Sequence, residues 1–452
     1  MTNYRSLSFW HDSLTESLEP RPIPSGRDFD VLILGAGFTG LWTGIYLLRN
    51  QPQLRVAILE KEIAGYGASG RNGGWCSALF PWSTTLLAKE FGIEKAKALR
   101  MAMIESVDQI GKLTKELGID CDYQKAGTYT LIRSAAQNQK AIAAIEEAKQ
   151  FGVDELELLD AKNSPLATIS QGAVFDPACA SIHPAKLVRG LAVAFEKLGG
   201  TLFETTQVFD FKPGSVRTSQ GDFTGEFIVD ALEGYRSTLP GKKRESLPLY
   251  SLMIVTEPIP SEVLDGLGIK PGATFADFRN LIIYGQRTKD NRIAFGGRGA
   301  PYHFGSRVRN SYDRVPAIHA HLERELKDLF PELARYRITD RWGGALGVSR
   351  DWMASVKLDP VTKIAQAGGY VGDGVGTSHL AGKILADLIL GRDTPETSLC
   401  LVNHSSPRWE VEPLRFIAAR GAMVAARLAD KLESFTGRKS FISRIIGWLT
   451  GK

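Results

Sequence analysis

Between Phe29 and Leu34 the chain is apolar except for Asp30, as in a strand buried within a parallel sheet. Gly35-Ala36-Gly37-Phe38-Thr39-Gly40 follows, and an uncharged stretch to Leu48 then reads as a helix that Gln51-Pro52 ends. A second short apolar run, Arg55 to Leu59, closes with Glu60 and completes a strand–helix–strand crossover. Val31 to Leu48 is 18 residues without a charge, long enough to resemble a membrane span. Gly35, Gly37 and Gly40, at phosphate-loop spacing, interrupt it, however, so a strand, a turn and a helix account for it better.

Further along, Ala, Lys, Glu and Leu dominate 86–117 and 135–150, which predicts helices with a strand over 127–132 between them. A helix over 185–197 and strands over 201–206 and 223–230 come next. Short, β-branched, turn-bounded runs at 250–256, 281–284 and 292–295 have the pattern of an antiparallel sheet. Residues 314–329 read as a helix, and 364–367 as a strand that enters a glycine-rich run ending at Gly376, with a helix from there to Leu390. No repeat of 20–50 residues is visible.

Composition changes this picture little. With 43% hydrophobic and 23% charged residues the chain is ordinary globular protein, neither disordered nor collagen-like. Four scattered cysteines, Cys76, Cys121, Cys179 and Cys400, make no disulfide framework and no CxxC pair. A net charge of +5 over 452 residues does not point to nucleic acid. Residues 1–28 carry acids and prolines but no apolar core, unlike a signal peptide, so a cytoplasmic location is expected. His319 and His321 lie two apart on a helix and face different sides, and no HExxH occurs, so no metal site is expected.

Chemistry enters at Gly35, Gly37 and Gly40, which fit GxGxxG between a strand and a helix. The first glycine permits the tight turn, the second lets backbone approach a pyrophosphate, and the third lets the helix pack close to the strand. Phe38, Thr39 and Lys61 flank these contacts, and Glu60 is placed to accept both ribose hydroxyls, which disfavours a 2′-phosphate. The motif itself does not distinguish NAD from FAD.

The segment Gly65-Tyr66-Gly67-Ala68-Ser69-Gly70-Arg71-Asn72-Gly73-Gly74 does, because it resembles the GASGRNGG loop of the D-amino-acid oxidase superfamily, FAD-dependent amine and amino-acid oxidoreductases. The likeness is to glycine and sarcosine oxidases and most of all to γ-glutamylputrescine oxidase-like proteins. Ser181-Ile182-His183-Pro184-Ala185-Lys186-Leu187 and Phe227-Ile228-Val229-Asp230-Ala231-Leu232-Glu233 are similar to two further family segments, with Glu233 where the family often has Asn. Gly369-Tyr370-Val371-Gly372-Asp373-Gly374-Val375-Gly376-Thr377 resembles the C-terminal flavin segment, with Asp373 in place of the usual His.

The resemblance spans about residues 28–400 and implies an α/β (α+β overall) chain with three parts. A Rossmann-like FAD-binding domain is expected from 28–87, 172–236 and 336–400, after an N-terminal arm over 1–27. A second substrate domain built on an antiparallel sheet is expected from 88–171 and 237–335, and a C-terminal helical extension over 401–452. It implies FAD contacts at Gly67, Ala68, Ser69, Arg71, Asn72, Gly73, Gly74, Val208, Gly372, Asp373, Gly374, Val375, Gly376 and Thr377. FAD is expected to be non-covalent, since 342–352 holds no cysteine to attach it.

The implied activity is hydride transfer from the C–N carbon of a small amine or amino acid to flavin N5, followed by imine hydrolysis, with oxygen or another acceptor taking the electrons. A substrate carboxylate or phosphonate calls for arginine, and Arg298, Arg287 and Arg341 are the candidates. Tyr284, Tyr302, Trp75 and Cys76 are candidate pocket residues. Lys289 is only near the place where some oxidases carry an oxygen-activating lysine. A hydroxy-acid or glycerol-phosphate-type dehydrogenase on this scaffold and a non-catalytic FAD-binding protein are the alternatives.

Residues 408–452 hold nine Lys and Arg against four Asp and Glu, which equals the net charge of the chain. Leu414, Ile417, Ala418, Val424, Ala425, Leu428 and Leu432 fall on one helical stripe that also contains Gly421. Phe441, Ile442, Ile445, Ile446, Trp448 and Leu449 form a second apolar cluster. Docking of this helix on the catalytic body, with a basic face to solvent, is expected in preference to contact with a membrane surface.

Overall fold

Strand Asp28–Leu34 lies in the middle of the first sheet, and its residues alternate between two cores. Val31 and Ile33 point into a helix-covered core, while Leu32 and Leu34 join Phe203, Val216 and Phe223 on the other face. All four are essentially inaccessible to water, which makes each worth roughly 1.5–3 kcal/mol of burial. The computed structural model describes residues 2–164, 170–297, 299 and 302–450, apart from the side chains of 448–450.

Five strands of this sheet are parallel: Ile364–Gly368, Gly221–Asp230, Asp28–Leu34, Val56–Leu59 and Thr201–Phe203, in that order. Ser355–Asp359 adds an antiparallel edge, and the hairpin Val208–Lys212/Ser215–Thr218 extends the long strand. The chain turns to opposite sides of Asp28–Leu34 after it, so the end of that strand is a topological switch point. Helices Phe38–Asn50 and Gly374–Ile389 cover the sheet there. They approach so closely that a Cβ on Gly382 would lie 2.6 Å from that of Trp42.

The second sheet runs Ile338–Val348, Leu247–Thr256, Ile293–Gly297, Ile283–Arg287, Thr274–Asp277, Thr128–Ile132, Gly172–Asp176, Glu157–Asp160. It is antiparallel except at one seam, where Thr274–Asp277 runs parallel to Thr128–Ile132. The expected antiparallel sheet is present, with that seam as its one parallel pairing. Its halves come from two separate inserts, and they meet at that seam.

Two expected boundaries also move. Gly172–Asp176 pairs with Thr128–Ile132, so the first insert runs past residue 171. Ile338–Val348 pairs along Leu247–Thr256, so the second insert runs past residue 335. The apolar pattern predicted neither strand, and it carries no information on which sheet each joins.

The helix expected over 86–117 is two, Thr84–Phe91 and Ile93–Glu116, because Gly92 sits at φ +93° between them. The N-terminal arm is a strap. Trp10, His11, Leu14 and Leu18 are buried, the Trp10 indole donates to the carbonyl of Asn72 (2.9 Å), and Arg21 pairs with Glu196 and Glu204.

The C-terminal helices are Leu414–Thr436 and Phe441–Thr450. The first docks on the body as expected, but not by the expected face. Its buried positions are Arg415, Ala426, Ala429 and Glu433, and the stripe Leu414, Ile417, Val424, Leu428, Leu432 is 45–62% exposed. The docking face is held by polar bonds: Asp430 accepts from the amides of Asn280 (2.7 Å) and Leu281 (3.0 Å), and Glu433 pairs with Lys140. Among the described residues no helix is long and apolar enough to cross a membrane.

Candidate active site

A single cavity of about 1770 Å³ runs from the switch point to the second sheet and on to the C-terminal helix. That is larger than most small-ligand pockets, and suits a dinucleotide with room for a substrate.

The turn after Asp28–Leu34 is built by glycine. Gly35 has φ +101°, and its amide donates to Leu59. A Cβ on Gly40 would lie 2.1 Å from the Gly35 carbonyl oxygen, so only glycine lets the helix begin this close to the strand. Gly37, Phe38 and Thr39 line the cavity at the helix start. The Phe38 amide donates to Ser69 Oγ (2.9 Å), which ties the turn to the next loop.

Glu60 ends the neighbouring strand and also lines the cavity. Its carboxylate accepts from the amides of Ala36 (2.9 Å) and Glu62 (3.0 Å). Burial pushes its pKa up to about 7, although these two amide bonds pull it down. Lys61 lines the same end, 3.9 Å from Glu62, and Val208 closes it.

Residues 65–74 form the next wall. Gly67, Ala68, Ser69, Arg71, Asn72 and Gly73 line the cavity, and Gly74 lies behind them. The Gln286 amide group donates to Gly73 (2.8 Å) and would be only 1.9 Å from a Cβ on Gly74. The Trp342 indole donates to the Arg71 carbonyl (2.9 Å). Arg71 itself is fully engaged: its guanidinium donates to Asp313 (2.7 Å) and to the Tyr235 hydroxyl (2.7 Å). The sequence-based reading placed it against an anionic phosphate or the flavin edge; in the folded chain it braces the loop.

The glycine-rich return lies on the other side. Gly369, Val371 and Gly372 all have positive φ, and Gly372, Asp373, Gly374 and Val375 line the cavity where helix Gly374–Ile389 begins. Gly376 and Thr377 are in its first turn, behind the lining. Gly376 is so tight that a Cβ would lie 2.6 Å from the Ser77 carbonyl oxygen. Thr377 donates to the Asp373 carbonyl (2.6 Å). Below them His379 bridges Ser106 (2.7 Å) and Tyr46 (2.7 Å), and burial lowers its pKa to about 3, so the ring is neutral.

One bond joins the two ends. The Tyr370 hydroxyl and Thr39 Oγ1 are 2.8 Å apart, so segments 331 residues apart meet in one wall. Glu233, at φ +46°, is the other brace. Its carboxylate accepts from Gly347 (2.5 Å) and also faces the amides of Gly369 and Tyr370, which pull its pKa down while burial pushes it up to about 7.

These features fit FAD: glycines where a Cβ would fill the cradle, an acid at the strand end, and a helix start facing the far end of one continuous cavity. Residues 30–388 match the sequence profile of the DAO family, described as FAD dependent oxidoreductase. The chain belongs to this family. Gamma-glutamylputrescine oxidoreductase of Escherichia coli is 32% identical over 80% of this chain and 84% of its own length. Glycine oxidase of Geobacillus kaustophilus is 26% identical over 81% and 94%. The crystal structure of the latter enzyme aligns with a TM-score of 0.69 at 21% identity, covering 84% of this chain and 100% of the other. L-proline dehydrogenase from P. horikoshii aligns at 0.68 and 19%, covering 83% and 96%. As a DAO-family member the chain is an FAD-dependent oxidoreductase.

The family fold brings Trp75 and Tyr284 together at the second-sheet end of the cavity. Their rings are 6.1 Å apart, edge to face, and the Tyr284 hydroxyl meets Ser251 Oγ at 2.6 Å. Tyr66, bonded to Asn310 (2.8 Å), with Tyr250 and Met253 completes an aromatic chamber.

Other expected pocket residues do not line this cavity. Cys76 points into the first core, where burial pushes its thiol pKa well up. Tyr302 is buried under the C-terminal helix and bonds Glu412 (2.6 Å). Arg287 is buried against Asp265 and Asn291, and Arg341 pairs with Glu323 beside a separate small cleft. Both arginines alternate away from the cavity on their strands, a facing the pattern could not assign. Arg298 lies outside the described residues. Lys289 is exposed and pairs with Asp122.

Arg279, which the motifs did not indicate, does line the cavity. It pairs with Asp277 and Glu325 (both 2.6 Å), and its Nη2 is buried without a hydrogen-bond partner among the described residues. Asp313 and Trp10 were equally invisible, since they reach the loop from distant segments. Among the described residues no group of three potential metal ligands occurs.

Proposed function

We propose that this flavoprotein oxidises the C–N bond of a small amine or amino acid, releasing an imine that water hydrolyses. The aromatic chamber of Trp75, Tyr284, Tyr250 and Tyr66 carries the reading, because it offers a desolvated surface where an amine is held neutral. FAD, when bound, supplies acceptance of the hydride from the carbon bearing nitrogen.

The chain's own residues bind and orient. Gly35, Gly37, Glu60 and Val208 would hold the dinucleotide end, and Gly372 to Val375 present a helix start whose dipole would favour negative charge on a bound ring. Arg71 and Asp313 neutralise each other and brace the loop 65–74 that lines the cavity. The hydroxyls of Tyr284 and Tyr66 are held by Ser251 and Asn310 and so exclude stray water.

The amine class is supported by the names of the relatives, an oxidoreductase of gamma-glutamylputrescine and a glycine oxidase. For an amine that also carries a carboxylate or phosphonate, Arg279, the arginine that lines the second-sheet part of the cavity, is the candidate anchoring cation.

Anaerobic mixing of the flavin-loaded protein with amines, amino acids, aminophosphonates and hydroxy acids tests the proposal. Bleaching of the flavin band by an amine supports it. Bleaching only by hydroxy acids, or by nothing in the panel, refutes it. Arg279→Met should raise KM for carboxylate-bearing amines and leave their kcat near the parent value; an unchanged KM removes Arg279 from the substrate site.

A further inference from the structure

The outward face of the C-terminal helix is unpartnered in the fold. Leu414, Ile417, Val424, Leu428, Leu432 and Phe435 recur at intervals of three, four or seven, and Phe435 is 91% exposed. Phe441 and Ile445 of the next helix are exposed as well. A stripe this long, about 30 Å at the rise of an α-helix, is unusual on a water-facing surface.

Charge is sorted around it. The acids of 408–452 are Glu410, Glu412, Asp430 and Glu433, and each is bonded to a group on or next to the body: Arg350, Tyr302, the Asn280 amide and Lys140. The bases are at the exposed surface, with Arg420 donating to the Tyr302 carbonyl (3.2 Å) and Arg427 to that of Gly299 (3.1 Å). Arg420, Arg427 and Lys431 flank one side of the stripe, and Arg438, Lys439 and Arg444 follow it; all are exposed, and among the described residues none of the six forms an ion pair. The surface therefore presents an apolar ridge with a basic border and no acid of its own.

We infer that this face docks on an anionic lipid bilayer surface, the stripe entering the headgroup boundary and the bases meeting lipid phosphates. The helix lies in the interface and does not span it, since no described helix is long and apolar enough to cross. Pairing with a second copy is the poorer match. An antiparallel two-fold contact along the stripe would press two rows of Arg420, Arg427 and Lys431 together with no acid between them.

The test is co-sedimentation of the full-length, flavin-loaded protein with vesicles of phosphatidylcholine alone or mixed equally with phosphatidylglycerol. Binding at least about tenfold stronger to the anionic vesicles is expected, falling steeply as salt is raised. Ile417→Asp/Leu428→Asp should abolish it while flavin content and melting temperature stay unchanged, because both side chains are exposed. Arg427→Gln/Lys431→Gln should weaken anionic binding alone. Three results overturn the inference: no vesicle binding, equal binding to neutral and anionic vesicles, or a dimer in sedimentation velocity that Ile417→Asp/Leu428→Asp dissociates without any lipid binding by the parent.

Discussion

Gly40→Ala is the sharpest test of how the cofactor end is built. Its Cβ would lie 2.1 Å from the Gly35 carbonyl oxygen and 3.1 Å from Ile33 Cγ2, where real Cβ contacts are essentially never below 3.0 Å. Helix Phe38–Asn50 must therefore retreat by about 1 Å. It has nowhere to go, because Trp42 is fully buried and already in close contact with Gly382 of the facing helix. Overpacking of this kind costs about 1–3 kcal/mol, a fall of several degrees in melting temperature.

The same retreat draws the helix start away from the cofactor's diphosphate. Loss of one charge-assisted bond there, about 1.5–3 kcal/mol, weakens FAD binding roughly 10- to 150-fold. Flavin-to-protein ratio after dialysis and a thermal melt measure both effects. Gly421→Ala is the matched control: nothing lies within 4 Å of that Cβ, so it should stabilise the helix by about 0.5–1 kcal/mol and leave flavin content alone. A Gly40→Ala protein that melts and retains flavin like the parent would refute the reasoning.

Three further outcomes are expected. Glu60 is held near pKa 7 by burial, and ribose hydroxyls donate to its charged form, so FAD affinity should rise with pH up to about 7 and level off above; Glu60→Gln should bind FAD more weakly and lose this pH dependence in equilibrium titrations. Without FAD the sign of its stability term is opposite, fully present below pH 4.5 and lost as pH rises through 7. His379, lowered to about 3, takes up its proton only on unfolding, so its contribution is lost as pH falls below 6.5; in urea melts the stability difference between the parent and His379→Gln should shrink by about 1.4 kcal/mol per pH unit between about pH 6 and 4. Arg71→Met strands the Asp313 carboxylate in the interior and should destabilise the fold by about 3–5 kcal/mol, and Asp313→Asn in that background should recover part of the loss by denaturant titration.

Local sequence specified local structure well. Glycine spacing, β-branched runs and the acid at residue 60 placed the crossover and the helix Gly374–Ile389, because each depends on contacts a few residues apart. Where alternation alone was available it failed on partners. The strands Gly172–Asp176 and Ile338–Val348 were not predicted, because their place in the second sheet is decided by hydrogen bonds to residues far along the chain.

The site divides the same way. Residues that meet the cofactor through backbone or small side chains could be read from spacing, since glycine is required by geometry that the motif encodes. Arg287 and Arg341 could not be sorted from Arg279, because an arginine's role depends on the acids and the cavity around it, and those come from other elements. The C-terminal helix shows the limit most plainly. Its apolar stripe was evident, but which face meets the body was settled by Lys140 and the backbone around Asn280, which offer Glu433 and Asp430 stronger partners than the stripe could find. Sequence determined the elements and the cofactor cradle, where the physics is short-range; tertiary structure alone decided pairing, facing and charge balance, which rest on groups hundreds of residues apart.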